Sequence, residues 1–122
     1  MKLIIPGTLP SLNEIIDAAK GHWNNYREMK ETYTQYVAWR AKRLPKVTCA
    51  DLIITWYCPD RRRDKDNIMA GTKFLLDGLQ KAKKIENDGW KQIRNITHRF
   101  EVDKVEPRVE VEIIEVEEEK GA

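Results

Sequence analysis

Residues 47–67 read VTCADLIITWYCPDRRRDKDN, an apolar run followed by a cluster of charges. The first eleven residues are rich in Val, Ile, Thr, Trp and Tyr, which predicts a strand that ends at Cys58 and Pro59. Asp64 and Asp66 follow shortly after the end of this strand. Because the two aspartates are two residues apart, both side chains leave an extended chain on the same side and can converge on one hard cation.

Four basic residues surround these aspartates, namely Arg61, Arg62, Arg63 and Lys65. They repel a free cation but attract a polyanion such as a nucleic-acid backbone. Carboxylates inside a basic cluster therefore indicate metal-assisted chemistry on phosphates. A third candidate ligand, Asp88, follows in the segment Glu86-Asn87-Asp88. The expected ion is Mg²⁺, with Mn²⁺ as an alternative, and no organic cofactor is expected.

Three elements are predicted before the central strand. Residues 2–5 form a short strand, and Ser11 with Glu14 forms a capping box that starts a short helix fraying near Gly21. A longer helix covers residues 24–44 and is stopped by Pro45. Its apolar and aromatic residues recur at spacings of three and four, which predicts one buried stripe of Tyr26, Met29, Tyr33, Tyr36, Val37 and Trp39.

Three further elements are predicted after it. A helix runs from Asn67 to about Lys84, with weak points at Gly71 and Gly78 and with Ile68, Leu75, Leu76 and Leu79 buried. Alternating residues predict strands over 90–102 and 108–116, joined by a turn over 103–107 into a hairpin. The pair Ile113-Ile114 breaks this alternation and predicts a bulge or the end of pairing there. Residues 117–122 should form a disordered acidic tail.

This order of elements predicts an α+β fold in which a mixed or antiparallel sheet is flanked by helices. The 122 residues are enough for a single domain, 1–122, with one core. No apolar run approaches membrane-spanning length, which favours a cytoplasmic protein with no membrane partner. Cys49 and Cys58 stand apart and are expected to be reduced, partly buried thiols rather than zinc ligands.

The net charge of +2 hides an uneven distribution of charge along the chain. Residues 20–46 and 60–84 are basic, whereas residues 101–119 are strongly acidic. This asymmetry favours nucleic-acid binding, but only weakly, because solvated charges on an ordinary surface give the same pattern. The residues assigned to the DNA backbone are Arg61, Arg62, Arg63, Lys65, Lys81, Lys83 and Lys84.

The position of the third carboxylate, Asp88, decides whether a single chain can form the complete metal site. A straight helix from Asn67 to Lys84 is about 27 Å long, so Asp88 would lie far from Asp64 and Asp66. A two-fold dimer with antiparallel packing of this helix would bring Asp88 of one copy to the aspartates of the other. A kink at Gly71 or Gly78 that unites all three ligands in one chain is the competing hypothesis.

Ordinary structural roles could also explain these acids. Asp66 or Asn67 could be no more than the N-cap of the following helix. Asp64 could merely pair with a neighbouring arginine. Asp-x-Asp is a common tripeptide, and the glycine and distal glutamate of an EF-hand calcium loop are missing.

In combination, however, Asp64-Lys65-Asp66-Asn67, the segment KFLLDGL at residues 73–79 and Ile85-Glu86-Asn87-Asp88 resemble the RusA family of Holliday junction resolvases, especially its phage and prophage members. The opening residues 5–14 resemble the N-terminal strand and turn of that family. The resemblance implies a RusA-like, homodimeric, Mg²⁺-dependent crossover junction endodeoxyribonuclease. It also implies a place in DNA recombination and repair, in a bacterial or phage-infected cell.

The resemblance further implies roles for single residues. Asp64, Asp66 and Asp88 match the metal-binding aspartates of the family, and Lys73 matches its catalytic lysine. Better-known members carry this lysine four residues after the second aspartate, where this chain has Ala70, and Lys73 comes three residues later. A small insertion accounts for the shift, since Lys73 keeps its spacing to Asp77.

Three other functions fit the same sequence. The chain could be a DNA-binding module without catalysis, in which the aspartates only cap and pair. It could be a nuclease for flaps, forks or RNA. It could also be a structural dimerisation protein that uses its charged helix for assembly alone.

Overall fold

The central strand β2 forms where the sequence alternates between the two faces of a sheet. In the computed structural model, which describes residues 1–117 except for the side chain of Trp23, β2 covers Ala50–Cys58. It buries Ala50, Leu52, Ile54 and Trp56 on one face. The other strands are β1 (Lys2–Pro6), β3 (Ile93–Val102) and β4 (Arg108–Glu115).

The four strands form one mixed sheet in the order β1-β4-β2-β3. Strand β4 pairs antiparallel with both β1 and β2, whereas β3 runs parallel to β2. Helices α1 (Leu12–Lys20), α2 (Trp23–Ala41), α3 (Lys65–Met69) and α4 (Thr72–Lys81) complete the fold. The chain is thus a single α+β domain with an open, mixed sheet, as the pattern of elements predicted.

The predicted hairpin between the last two strands is wrong. Strand β2 lies between β3 and β4, and residues 103–107 cross its end, where the Asp103 N–H donates to the Cys58 carbonyl oxygen at 2.8 Å. The apolar alternation of β2 favours an interior position, whereas β3 is exposed along most of its length and forms an edge. Residues 59–92 supply the long helical crossover that a parallel pair requires.

The first half of the chain follows the prediction closely. The capping box is present at the start of α1: the Glu14 N–H donates to Ser11 Oγ at 3.3 Å, and the Ser11 N–H donates to Glu14 Oε1 at 3.4 Å. Helix α2 ends at Ala41 rather than at Leu44. Trp39 is 57% exposed and does not belong to the buried stripe.

The single helix predicted over residues 67–84 is wrong, because α3 and α4 are separate helices that meet at Ala70 and Gly71. A Cβ atom at Gly71 would lie 3.0 Å from Cβ of Leu9 and 3.2 Å from the Trp56 ring. Gly71 therefore lets the chain turn close against the core, and the weak point predicted there is confirmed. Phe74, which the prediction omitted, is fully buried beside Leu75 and Leu79.

Helix α4 ends in a Schellman motif. The N–H of Lys84 donates to the Leu79 carbonyl oxygen at 2.9 Å, and the N–H of Lys83 donates to that of Gln80 at 2.9 Å. Lys83 adopts a φ of 60°, the left-handed conformation that usually favours glycine at this position.

Two further expectations about the strands are corrected. Pairing of β4 continues through Ile114 to Glu115, and the irregular register lies instead between Ala50 and Leu52 where β2 pairs with β3. Strand β3 begins at Ile93, so Trp90 precedes it and is 98% exposed. Of the predicted acidic tail, residues 118–122 lie outside the described residues. Within residues 1–117, no helix combines the length and apolar character needed to cross a membrane.

Gly78 is where α4 approaches α2 most closely, and this contact can be tested. A Cβ atom at Gly78 would lie 2.5 Å from Cβ of Val37, so the Gly78→Ala variant must push the helices apart. We expect a loss of about 1–3 kcal/mol in the free energy of unfolding, although alanine in a helix interior ordinarily gains about 1 kcal/mol over glycine. Urea unfolding followed by circular dichroism measures the change.

Gly89→Ala is the matched control, because its added Cβ would meet nothing closer than 3.5 Å. A Gly78→Ala protein as stable as the wild type would contradict the close packing of α2 on α4.

Candidate active site

Asp64 and Asp66 lie where the chain leaves β2 and enters α3. Asp64 occupies the N-cap position of α3, but its side chain makes no capping hydrogen bond. Asp66 lies in the first turn, and its Oδ1 accepts from the N–H of Asn67 at 2.9 Å. The alternative that Asp66 or Asn67 is simply the N-cap is therefore wrong. The Asp64 carboxylate takes no part in capping the helix, whereas that of Asp66 accepts from one N–H of the first turn.

The side chain of Asn67 has a different role. Its Oδ1 accepts a hydrogen bond from the Asn13 N–H in α1 at 2.9 Å. This bond joins residues 54 positions apart and fixes α3 against α1. The two aspartates beside Asn67 are thus held in place by the tertiary structure.

A groove of about 610 Å³, here called the carboxylate groove, lies between the end of β2 and the end of β3. Its acidic lining residues are Asp60, Asp64, Asp66 and Glu101. Glu101 comes from β3, where it pairs in parallel register with Tyr57. Glu101 was not predicted as a site residue, because a predicted hairpin gives no reason to place β3 beside the end of β2.

Several acidic side chains outside the groove form an ion pair with a basic side chain of the domain. Arg94 forms a bidentate ion pair with Asp51, and its hydrogen bonds lower the pKa of that carboxyl below its ordinary value. Hydrogen bonds from Arg108 and Lys2 likewise lower the pKa of Glu110. These acids are already neutralised by the protein and have no need of a metal ion.

The acids of the carboxylate groove differ. Within residues 1–117, the side chains of Asp64 and Glu101 have no hydrogen-bond or ion-pair partner, and Asp66 accepts only from its neighbour Asn67. Their oxygens are hard ligands of the kind that Mg²⁺ prefers, so the donor set fits this ion. The same described residues contain no complete group of three side chains already disposed around a metal.

The three arginines before α3 divide into paired and unpaired ones. Arg62 lies 3.8 Å from Asp60, and Arg63 forms an ion pair with Glu14 of the capping box. The alternative in which Asp64 pairs with a neighbouring arginine thus finds no support. Arg61 has no hydrogen-bond or ion-pair partner in the part of the chain that the structure describes.

Lys65 lies 5.5 Å from the centre of the Phe100 ring. Together with Arg61 and Arg63, it lines the carboxylate groove. The wall of the groove is therefore basic, while Asp64, Asp66 and Glu101 form no ion pair with a cation in residues 1–117.

Lys73 does not line this groove. Its Nζ lies 3.5 Å from Oδ2 of Asp77, one turn along α4. The structure therefore places the lysine implied by the RusA resemblance on the helix that follows the groove, in an ion pair. Its catalytic role stays a prediction.

Lys81, Lys83 and Lys84 lie at the other end of α4. The carbonyl oxygen of Lys84 accepts from the Val47 N–H at 2.8 Å, near the start of β2. Lys81 lines a separate cleft of about 290 Å³ with Arg27 and Lys30. The predicted DNA-binding residues are thus divided between the two ends of the domain.

Asp88 lies at this second end as well. It falls between Lys84, which bonds to Val47, and Gln92, whose carbonyl oxygen accepts from the Ala50 N–H at 2.9 Å. From Ala50 to Cys58, β2 spans about 26 Å at 3.3 Å per residue. The break at Gly71 therefore leaves Asp88 beside the start of β2 rather than beside the end that leads to Asp64 and Asp66, and the dimer and single-chain hypotheses both stay predictions.

No protein-family model matches this sequence, and no curated protein matches it significantly. The fold is an α+β domain, and its groove holds Asp64, Asp66 and Glu101, which form no ion pair within residues 1–117, among basic residues. The likeness to RusA resolvases rests on the residues quoted above.

His98, in β3, gives a prediction about pH. It stacks between Trp56 and Phe100, and its Nδ1 accepts from the Trp56 Nε1–H at 3.0 Å. Burial lowers the pKa of His98 below 6.5. Its contribution to stability is therefore complete above pH 6.5 and is lost as the pH falls from there through the folded-state pKa.

Urea unfolding at pH 7.5 and pH 5.5 tests this, with the His98→Gln variant as comparison. Glutamine supplies an amide oxygen as acceptor but cannot take up a proton. We expect the wild type to lose more stability than His98→Gln between the two pH values. Equal losses would show that folding does not shift the pKa of His98.

Proposed function

We propose that this chain is a Mg²⁺-dependent endonuclease that acts as a homodimer on branched DNA, and that four-way junctions are its main substrate. The observation that carries the proposal is the carboxylate groove, where Asp64 and Asp66 have no cation partner although arginines and a lysine surround them. In a protein that only bound DNA, unpaired negative charge at this place would not improve the affinity, because negative charge repels phosphates. The RusA resemblance points to the same activity, in the cytoplasm of a bacterial or phage-infected cell.

The chemistry follows from the residues. Asp64 and Asp66 would hold the divalent ion, Mg²⁺ or Mn²⁺, from the N-cap position and the first turn of α3. When bound, such an ion supplies a water of lowered pKa and stabilises charge on the phosphate. Arg61 and Lys65 bind the DNA backbone beside the groove, and they contact phosphates rather than base edges. This arrangement favours recognition of DNA shape over direct sequence readout.

The separation of Asp88 from the groove supports the dimer. Asp88 lies in the loop next to the start of β2, whereas Asp64 and Asp66 follow the end of that strand, which is about 26 Å long. In a two-fold dimer, Asp88 of one copy would enter the carboxylate groove of the other and supply the missing ligand. The two equivalent sites would then cut two strands of a junction.

The predicted packing of this dimer changes, however. The apolar face of α4 is buried against α2 of the same chain, with Phe74, Leu75, Gly78 and Leu79 inside. A mate helix cannot use this face. An antiparallel contact between copies would use another face of α4 or the surfaces around the groove and around Asp88.

One observation favours a second candidate, a DNA-binding module without catalysis. Residues 1–117 hold no complete group of three metal-ligating side chains. Such a module would bind a junction and leave it intact in the presence of Mg²⁺. Labelled junctions, forks and flaps, analysed on denaturing gels, separate this candidate from the nuclease and rank the substrates.

Substitution of Asp64 tests the metal site. The variant Asp64→Asn removes one negative charge from the groove and should lower the rate of junction cleavage in Mg²⁺ by at least about 100-fold. Junction affinity should stay the same or rise, because the carboxylate repels phosphates. Single-turnover cleavage and gel-shift titration measure the two effects.

The matched control is Asp17→Asn, which changes the net charge equally on an exposed face of α1 outside the groove. Cleavage by Asp64→Asn at the rate of Asp17→Asn would overturn the proposed site.

Complementation between two inactive variants tests the dimer. If Asp88 acts in the other copy, a mixed dimer of Asp64→Asn and Asp88→Asn chains contains one intact site and one doubly altered site. After subunit exchange, the mixture should recover about a quarter of wild-type nicking, since half of the dimers are mixed and each has one of two sites.

Each variant incubated alone serves as the control for this experiment. If all ligands came from one chain, no dimer in the mixture would contain an intact site, and nicking would not recover.

A further inference from the structure

A second pocket lies beside the carboxylate groove, on the other side of the end of β2. It encloses about 270 Å³, and its apolar walls are formed by Leu9, Trp56, Tyr57, Pro59, Ile68 and Val109. Cys58, Asp60, Arg63 and Ile68 line both this pocket and the groove. The two spaces are therefore immediate neighbours, separated only by the end of one strand.

The rim of the pocket is cationic. Arg62 and Arg63 line it, and the Arg62 side chain is 90% exposed. Arg108 also lies here, with its guanidinium 3.8 Å from the centre of the Tyr57 ring, but Asp103 and Glu110 neutralise it. Arg63 is paired with Glu14, and Arg62 lies 3.8 Å from Asp60, so the exposed Arg62 side chain is the cation of the rim that is most open to a ligand.

Inside the pocket, a few polar groups accompany the apolar walls. The Thr8 hydroxyl can donate or accept a hydrogen bond, and the Asp60 carboxylate can accept one. Apolar faces with polar edges, attached to a negatively charged backbone, are the chemistry of a nucleobase in a DNA strand. A purely apolar ligand would use the walls but not the arginines.

We infer that this pocket receives one unstacked nucleobase of the DNA strand whose phosphate lies in the carboxylate groove. The inference rests on the proposed function, because the groove defines where that phosphate lies. Contacts between the base and apolar or aromatic side chains offset the free energy of unstacking. This free energy is smallest where base pairing is already disturbed, as at a branch point. The pocket thereby fixes which phosphodiester bond enters the groove.

The test uses the Asp64→Asn protein, which binds without cutting, and four-way junctions with 2-aminopurine at each position flanking the branch point in turn. Unstacking of this fluorescent base raises its emission. At one position we expect a rise of at least about threefold on binding, together with protection from acrylamide quenching because the pocket shields the base. Thr8 lines the pocket but not the groove, so adding Thr8→Trp to this protein should fill the pocket and abolish the signal.

Thr48→Trp, at an exposed site before the start of β2, is the matched control and should keep the signal. No rise at any position, a rise that acrylamide quenches fully, or an equal rise with Thr8→Trp would each overturn the inference. The first two outcomes require only the Asp64→Asn protein, so the test survives a Thr8→Trp variant that does not fold. Cleavage of the same junctions by the wild type in Mg²⁺ tests the proposed function separately.

Discussion

Burial of β2 between β3 and β4 is the constraint on which the rest of the structure depends. Its alternating residues, from Ala50 to Trp56, provide the sheet with its most apolar surface, and helices cover that face. Once β2 is interior, β3 must reach it through the long crossover of residues 59–92 and runs parallel to it. The parallel register then places Glu101 at the same end of the sheet as Asp64 and Asp66, and it places the segment that carries Asp88 at the opposite end.

The helical crossover positions the site through two kinds of contact. Gly71 and Gly78 allow the chain to approach Trp56 and Val37 more closely than any side chain would permit. The Asn67 side chain ties α3 to the backbone of α1, and Arg63 ties the preceding loop to Glu14. Both bonds join residues about fifty positions apart, so the position of the site depends on the packing of α1.

Electrostatics distinguish the carboxylate groove from the remaining surface. On the open face of the sheet, Arg108 binds Asp103 and Glu110, and Lys2 binds Glu110, so opposite charges neutralise each other. In the groove, Asp64, Asp66 and Glu101 lie among basic residues without such pairing. An arrangement that leaves both signs of charge available suits a divalent cation and a phosphate bound together. For that reason a metal-dependent nuclease is the function that the groove supports best.

The sequence by itself determined the local features, because each depends on neighbours in the chain. The capping box at Ser11, the strand over β2, the weak point at Gly71 and the candidate aspartates could all be read from adjacent residues. Only the tertiary structure decided which strands pair, since β3 and β4 have the alternation of a hairpin but are separated by β2. The same long-range pairing places Glu101 at the groove and the segment that carries Asp88 at the other end of the sheet. The register between distant strands is set by burial of the sheet. It therefore cannot be predicted from the sequence of either strand alone.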